Sequence, residues 1–430
     1  MVLTGRAAAL TAAGLIPVLL VPRTATVAWW ALLVVVLCAV DLALAASPRD
    51  LRPERDVPRA VRLREAATSA LTLTSTGRRP VRALVRDAWP PSAGARANRH
   101  RVTVPAGEAR RVRTVLVPTR RGDRTADLVT IRSFGPLGLA ARQASVPSPA
   151  RLRVLPEFAS RRHLPSRLAR LRELDGSAAT QVRGQGTEFD SLREYVIGDD
   201  VRAIDWRATA RRNDVVVRTW RPERDRRVLI VVDTSRLAAA RLGDAPRLEA
   251  QIEAALLLCA LAGRAGDRVD VVAVDSAVRA RVAGANGPRL LSAVAEAFAP
   301  LEASLVEISW TAVTDVVRST LSQRSLVVLL SALEPSAVVS GLLPVAGALG
   351  ADHQLVLASA SDPEAEEIRR DRATSEAAFD AAAAERGALE RDAVAVRLRR
   401  RGVEVVEGSP DELAPALADT YLALKAAGRL

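Results

Sequence analysis

Cysteine, histidine, aromatic residues and lysine are all scarce in this chain, and each shortage removes a class of protein. The two cysteines, Cys38 and Cys259, lie far apart in apolar stretches. They can make neither a disulfide framework nor a structural zinc site. Three scattered histidines leave no His-based metal centre. Only 3% of residues are aromatic, too few to interleave a basic surface with stacking rings, so no nucleic-acid partner is expected. A single lysine, Lys425, stands against 61 arginines, a bias that GC-rich coding explains better than a demand for guanidinium groups. No Ser or Cys sits in a nucleophile-elbow motif, so the chain is not expected to be an enzyme.

The 430 residues are 49% hydrophobic and 26% charged, which gives room for two or three domains and excludes global disorder. The net charge of +13 is unevenly placed. Residues 51–150 carry 20 Arg against seven acids, whereas residues 228–430 have a net charge of −7. A basic block that follows an apolar N-terminus suits an anionic membrane surface.

That N-terminus has 16 uncharged residues between Arg6 and Arg23 and another 17 between Arg23 and Asp41. The expected structure is a transmembrane hairpin within residues 1–50, with helices over about 7–22 and 26–47 and no cofactor. Trp29 and Trp30 suit an aromatic belt, and Arg49, Arg52, Arg55, Arg59, Arg62 and Arg64 after the second segment predict cytoplasmic termini in a multi-pass cell-membrane protein. Asp41, near the cytoplasmic end, reads as an acid snorkelling to the interface.

Residues 51–155 alternate short β-prone runs with Gly, Pro, Ser and Arg-rich turns, which predicts a small antiparallel sandwich. Its runs are 70–74, 81–85, 101–104, 112–117 and 128–131. A connecting segment, 156–227, follows. Over 183–227, 20 of 45 residues are charged and nearly balanced in sign. Carboxylates, guanidinium groups and aromatics alternate there, as in a network of ion pairs and cation–π contacts that pins an irregular backbone. Such a clasp and a partner-binding site are both open readings.

Residues 183–212 of that segment resemble the hallmark of the domain of unknown function 58 family, G-x-G-x-E-F-x-x-L-R-x-Y-x-x-G-D-x-x-R-x-I-D-W-x-x-[ST]-A-R. Gly184, Gly186, Glu188, Phe189, Leu192, Arg193, Tyr195, Gly198, Asp199, Arg202, Asp205, Trp206, Thr209 and Arg211 fill its positions. The likeness extends to the N-terminal hairpin, to the turns around Arg120–Asp123 and Phe134–Leu139, and to the last helix with Tyr421 and Lys425. It implies a partner, a MoxR-type AAA+ ATPase, with which such proteins work on cell-envelope or other protein clients.

From 228 to 430 the chain alternates continuous apolar strands with amphipathic helices, the pattern of a doubly wound α/β domain with a mostly parallel sheet. Strands are expected at 228–233, 269–275, 325–331, 354–358 and 403–407. Helices are expected at 247–265, 287–301, 312–322, 336–350, 411–427 and, as one long stretch, 364–400. At the first strand end, Asp233-Thr234-Ser235-Arg236-Leu237 is similar to the start of a von Willebrand factor A domain, whose resemblance implies Mg2+ held through D-x-S-x-S, a later Thr and a further Asp. Asp233, Ser235 and Thr311 fill three of these places. Leu237 stands at the third motif position, and Ser331-Ala332-Leu333-Glu334 offers no Asp, so the metal site is expected to be vestigial. The expected function is a non-enzymatic membrane-anchored adaptor; the alternative is a Mg2+-dependent receptor for a protein ligand.

Overall fold

The computed structural model describes residues 1–181, 188–197, 199–212, 214–221, 226–285 and 287–430. They divide into two compact units, Met1–Glu157 and Phe158–Leu430.

In the first unit, Val2–Leu3 (β1) leads into helices Gly5–Ala13 (α1) and Leu15–Leu20 (α2), and Arg23 precedes the long helix Thr24–Leu44 (α3). At 1.5 Å per residue, α1 and α2 together reach about 24 Å and α3 about 32 Å, against a hydrocarbon core of about 30 Å. Among the described residues one helix, Thr24–Asp50, is long and apolar enough to cross a membrane, and only 11% of its most apolar window is buried in the protein. It is a candidate membrane helix, and the expected first span is shorter than a crossing needs. The helices nevertheless pack as a pair: Trp30 Nε1 donates to the Leu10 carbonyl at 3.2 Å. Gly14 makes room for that indole, because a Cβ there would lie 2.2 Å from the ring.

The rest of the unit is β-structure, as the alternating runs predict. Strands Leu51–Asp56 (β2), Ala60–Arg62 (β3), Ala67–Ser75 (β4), Val81–Asp87 (β5), Ala95–Arg96 (β6), Arg99–Val104 (β7), Ala109–Leu116 (β8), Gly122–Phe134 (β9) and Ala140–Leu155 (β10) form two sheets. One runs β1-β10-β9-β5-β7 with β3 beside β10, the other β2-β4-β8-β6. Pairing is antiparallel except between β3 and β10. Inward residues such as Leu71, Leu73, Val85 and Ile131 meet in one core. Arg55 is not part of a surface basic band. Its side chain is fully buried, bound to Asp87 at 2.8 Å and 5.5 Å over the Trp89 ring.

Asp41 also departs from expectation. It is completely buried, and its carboxylate accepts the backbone N–H groups of Leu137 (2.7 Å), Leu139 (2.7 Å) and Ala140 (2.8 Å). The β9–β10 turn aims three otherwise orphaned donors at one acid, which removes any need to snorkel.

In the second unit, Leu164–Gln181 (α4) packs on helices named below, and Arg167 and Arg170 both hold Asp419, at 2.6 and 3.0 Å. Strands Glu188–Glu194 (β11) and Val216–Arg221 (β12) pair antiparallel and flank helix Trp206–Arg212 (α5). There follow Arg227–Asp233 (β13), the small pair Arg241–Leu242 (β14) and Ala245–Pro246 (β15), Arg247–Arg264 (α6), Arg268–Val274 (β16), Val278–Val282 (β17), Pro288–Phe298 (α7), Trp310–Thr320 (α8) and Leu326–Leu330 (β18). Pro335–Ala337 (α9) continues through a π-turn into Leu343–Leu349 (α10), then come Gln354–Ala360 (β19), Pro363–Arg370 (α11), Ser375–Arg399 (α12), Glu404–Gly408 (β20) and Pro410–Ala426 (α13).

The main sheet has the order β17-β16-β13-β18-β19-β20, with β17 antiparallel and the other neighbours parallel. Every residue of Val228–Asp233, Leu326–Leu330 and Gln354–Ala360 is buried, as strands covered on both faces require. Leu229, Val231, Val327 and Leu329 meet α8, α10 and the end of α12. Helices α6 and α13 pack on each other and on the strands as well, and α4 packs on both. The long helix expected over 364–400 is two. Asp371 turns back to the Ala373 N–H, and Thr374 caps α12 by accepting from Ala377 N–H at 3.1 Å, an N-cap that competes with helix continuation.

The lone lysine closes the fold. Lys425, in the last turn of α13, donates to Asp267 Oδ1 at 2.9 Å, and the Tyr421 hydroxyl donates to Asp267 Oδ2. The two charged side chains are 6% and 2% exposed. Asp267→Ala would strand a buried ammonium, and we expect a loss of about 3–5 kcal/mol in urea unfolding of the detergent-solubilised chain. Adding Lys425→Met should recover a large part of that loss.

Candidate functional site

Two places carry the residues singled out by the sequence, and both lie in the second unit. The first is the carboxyl edge of the main sheet, where ligands of open parallel sheets bind. The register sets Asp233 beside Val274 and Val232 beside Leu330. Asp233, Asp275 and Ser331 therefore end three neighbouring strands.

Their polar atoms are occupied by near neighbours. Asp233 Oδ1 accepts the Ser235 N–H at 2.8 Å, and Oδ2 accepts the Ser331 hydroxyl at 2.6 Å. Asp275 Oδ2 accepts from Ser304 Oγ (2.7 Å) and Arg279 Nη1 (3.1 Å), and Oδ1 accepts the Ala277 N–H (3.2 Å). Burial raises the Asp275 pKa, but the Ser304 hydroxyl, the Ala277 N–H and the Arg279 guanidinium outweigh it and hold the carboxyl below the usual carboxylate range. The loop after α7 is stitched across the edge by Ser304 N to Thr234 O (2.8 Å), Arg236 N to Val306 O (2.8 Å) and Ser309 N to Asp275 O (2.8 Å). What remains beside Asp233 is a cavity of about 10 Å3, with Ile308, Trp310 and Ser331 in its wall. Such a space has room for a single water at most.

A hard dication fits this donor set poorly. Asp233 and Ser235, two residues apart, are already bonded to each other through the Ser235 N–H. The buried hydroxyls of Ser235 and Thr234, without a hydrogen-bond partner, are what is left to an ion or a water. Thr311 is exposed on the first turn of α8 and is not in the cavity wall, where Trp310 stands instead. The Leu237 carbonyl receives Arg247 Nη1 at 2.7 Å. That guanidinium is held near Asp233, Glu334 and Asp362; burial lowers its pKa, the three acids raise it, and arginine remains cationic. A resident cation, bonded to the Leu237 and Ala360 carbonyls, thus acts electrostatically on the acid that would have charged the site. Among the described residues no group of three His, Cys, Asp or Glu is placed to hold a metal. Asp275, Ser304 and Arg247 were missed in the sequence, although Asp275 ends an apolar strand as Asp233 does.

The second place is the hallmark. Gly184, Gly186 and Gly198 lie outside the described residues; Glu188 and Phe189 are placed on β11, and their side chains lie outside the description. Leu192 and Arg193 also belong to β11. Arg193 Nη2 pairs with Asp199 Oδ1 at 2.5 Å, and Asp199 Oδ2 accepts the Val196 N–H at 2.9 Å, which closes the turn between them. Tyr195 N donates to Val215 O at 2.7 Å. Asp205 Oδ1 accepts the N–H groups of Arg207 and Ala208 at 3.0 Å each, and Oδ2 accepts Arg218 Nε at 2.8 Å. The Ala208 N–H and then the Arg218 guanidinium hold its carboxyl below the usual range. Thr209 Oγ1 accepts the Val216 N–H at 3.2 Å. Ion pairs are present as expected. The described cation–π contacts lie elsewhere, at Arg55–Trp89 and Lys425–Tyr421.

These polar groups bond to one another and to the local backbone, and apolar side chains beside them are left exposed. Ile197 is 97% exposed and Trp206 69%, with Val196 and Val201 also exposed. Arg202 and Arg211 are exposed too.

Two outcomes are expected at the strand edge. Ser331→Ala leaves Asp233 Oδ2 buried without its hydroxyl donor, and urea unfolding should show a loss of about 1–3 kcal/mol. Because the native Asp275 pKa lies below its unfolded value, its ionised form contributes stability above about pH 4, and that contribution is lost as pH falls through the native value. The stability difference between the wild type and Asp275→Asn should therefore be constant near neutrality and narrow below about pH 4.

No curated protein matches the chain. Solved structures match locally. The CARDB domain of a Pyrococcus furiosus protein is 12% identical over 26% of this chain and 91% of its own, with a TM-score of 0.18. A FixG-related protein from Vibrio parahaemolyticus is 10% identical over 24% and 96%, with a TM-score of 0.17. The PKD domain of an M14-like peptidase from a Thermoplasmatales archaeon is 10% identical over 24% and 91%, with a TM-score of 0.16. Likenesses at that level carry no argument. The model of the family described as Protein of unknown function DUF58 matches residues 191–406. That match takes in β13 to β19, the first residues of β20 and most of the hallmark, just over half of the chain, and the chain belongs to this family.

Proposed function

We propose that this protein is a non-enzymatic adaptor anchored by its N-terminal apolar helix, with the chain after that helix on the cytoplasmic side, that recruits a MoxR-type AAA+ ATPase to protein clients. Its second unit serves as a von Willebrand factor A-like contact domain in which protein groups have replaced the metal. The observation that carries the reading is the hallmark, whose polar side chains hold its own backbone while Ile197 and Trp206 face solvent. Exposed aromatic and branched side chains on a loop pinned by ion pairs suit a protein contact, where a central Trp or Ile supplies the binding energy. The closed strand edge supports the same reading, since neither carboxylate there is left to a substrate or ion. The ATPase as partner follows from the resemblance in the hallmark. The α3 apolar surface and the exposed Arg49, Arg52 and Arg59 that follow it support the orientation.

A photo-crosslinking residue at Ile197, in native membranes holding the cognate ATPase, should capture that ATPase. Trp206→Ala should weaken its binding roughly thirty-fold, the effect of losing a hot spot of about 2 kcal/mol. Absence of the ATPase from the captured species would overturn the proposal.

A further inference from the structure

The β9–β10 turn, Phe134–Leu139, is tied to the apolar helix more tightly than a linker between an anchor and a domain needs. Asp41 takes two of its N–H groups, those of Leu137 and Leu139, and that of Ala140 at the start of β10, at 2.7–2.8 Å. Gly135 lies so close that an added Cβ would stand 2.2 Å from the Asp41 carbonyl oxygen. Arg142 Nε donates to the Leu42 carbonyl at 3.1 Å. The start of the chain is held at the same turn: Val2–Leu3 pairs with Ala140 and Ala141, and Thr4 Oγ1 donates to the Gly138 carbonyl at 2.6 Å. Arg6 Nη1 reaches the Leu137 carbonyl at 3.4 Å.

These bonds set the depth of the turn. Asp41 is three residues before Leu44, the last residue of α3, or about 4.5 Å along the axis. The turn therefore sits at the level where α3 leaves the hydrocarbon. At that level the surface is apolar: Leu3 is 59% exposed and Leu137 48%, alongside the exposed Val40 and Leu44 of the helix itself. In water Leu3 on β1 and Leu137 on the turn gain nothing from their exposure, whereas at a bilayer surface their burial is favourable. Arg6, bonded to the turn, and Arg142, bonded to the end of α3, place guanidinium groups where lipid phosphates lie.

We propose that the Phe134–Leu139 turn is an interfacial element that seats the β-sandwich directly on an anionic leaflet, with Leu3 and Leu137 in the acyl boundary and Arg6 and Arg142 at lipid phosphates. This rests on α3 crossing the bilayer and does not depend on the ATPase.

The test uses the full chain reconstituted into vesicles of phosphatidylcholine and phosphatidylglycerol. The two native cysteines, both buried, are replaced by alanine, and a fluorescent probe is attached through Leu137→Cys or, as a control in the middle of α3, Val35→Cys. Position 137 bonds to Asp41 through its backbone, so the substitution keeps that contact. Quenching lipids labelled shallow or deep in the acyl chain then report depth. The expected result is loss of the Val35→Cys signal with the deep quencher and of the Leu137→Cys signal with the shallow one, with a shift of the latter to shorter wavelength relative to detergent. Arg6→Gln should reduce that shift in anionic vesicles. A quenched Val35→Cys beside an unquenched, water-like Leu137→Cys would overturn the proposal and leave the anchor intact. An unquenched Val35→Cys would overturn the anchor, and the proposal with it.

Discussion

A carboxylate taken out of water has to be met by donors, and the way this chain meets that demand shapes both of its units. Asp41 is met by a turn, Asp87 by Arg55, Ser69 and Trp89, Asp267 by Tyr421 and Lys425. Asp233 and Asp275 are met by serines and by their own loops. Each acid therefore fixes two segments against each other, and its removal would strand donors in a low-dielectric interior. The same bonds occupy oxygens of these carboxylates within the protein. A general base or a metal ligand needs lone pairs facing an open volume, and the strand edge offers a cavity of about 10 Å3 and a nearby arginine.

Beside its exposed arginines, the surface also offers fixed apolar side chains. Ile197 and Trp206 in the hallmark are held out by a backbone whose bends are fixed by Asp199 and Asp205. Rigid presentation matters for recognition, since a preordered loop loses less entropy when a partner closes over it. In the first unit Leu137, on a turn fixed by Asp41, and Leu3, on the strand β1 paired beside it, are presented in the same manner. A tether and a presented surface are what recruitment requires.

The sequence made the layered parts legible and left the long-range pairings hidden. Continuous apolar runs such as Val228–Val232 and Leu326–Leu330 announce strands covered on both faces, and period-two runs such as 81–85 announce the sandwich. The edge strand β17, Val278–Val282, alternates with arginines and was passed over, because one solvated face makes it look like a loop. The break between α11 and α12 had a local signal in Thr374, an N-cap that the Ala, Glu and Arg around it obscured. Asp41 could not be placed, since its partners stand 96 to 99 residues away and three backbone N–H groups leave no mark in side-chain pattern. Arg55 was counted with its basic neighbours for the same reason. In the hallmark the residue types foretold ion pairs, and only the coordinates separate Arg193–Asp199 and Arg218–Asp205 from the residues left exposed.

We propose that the strand edge, its two carboxylates bonded within the protein, works through contact and without an ion. Thermal unfolding of the full detergent-solubilised chain, with EDTA and then with rising Mg2+ or Mn2+, tests it most directly. A ligand that binds the native state raises the midpoint as its concentration exceeds the dissociation constant. The account predicts one midpoint throughout; a midpoint that climbs with metal in the wild type, and stays flat in Asp233→Ala, would contradict it.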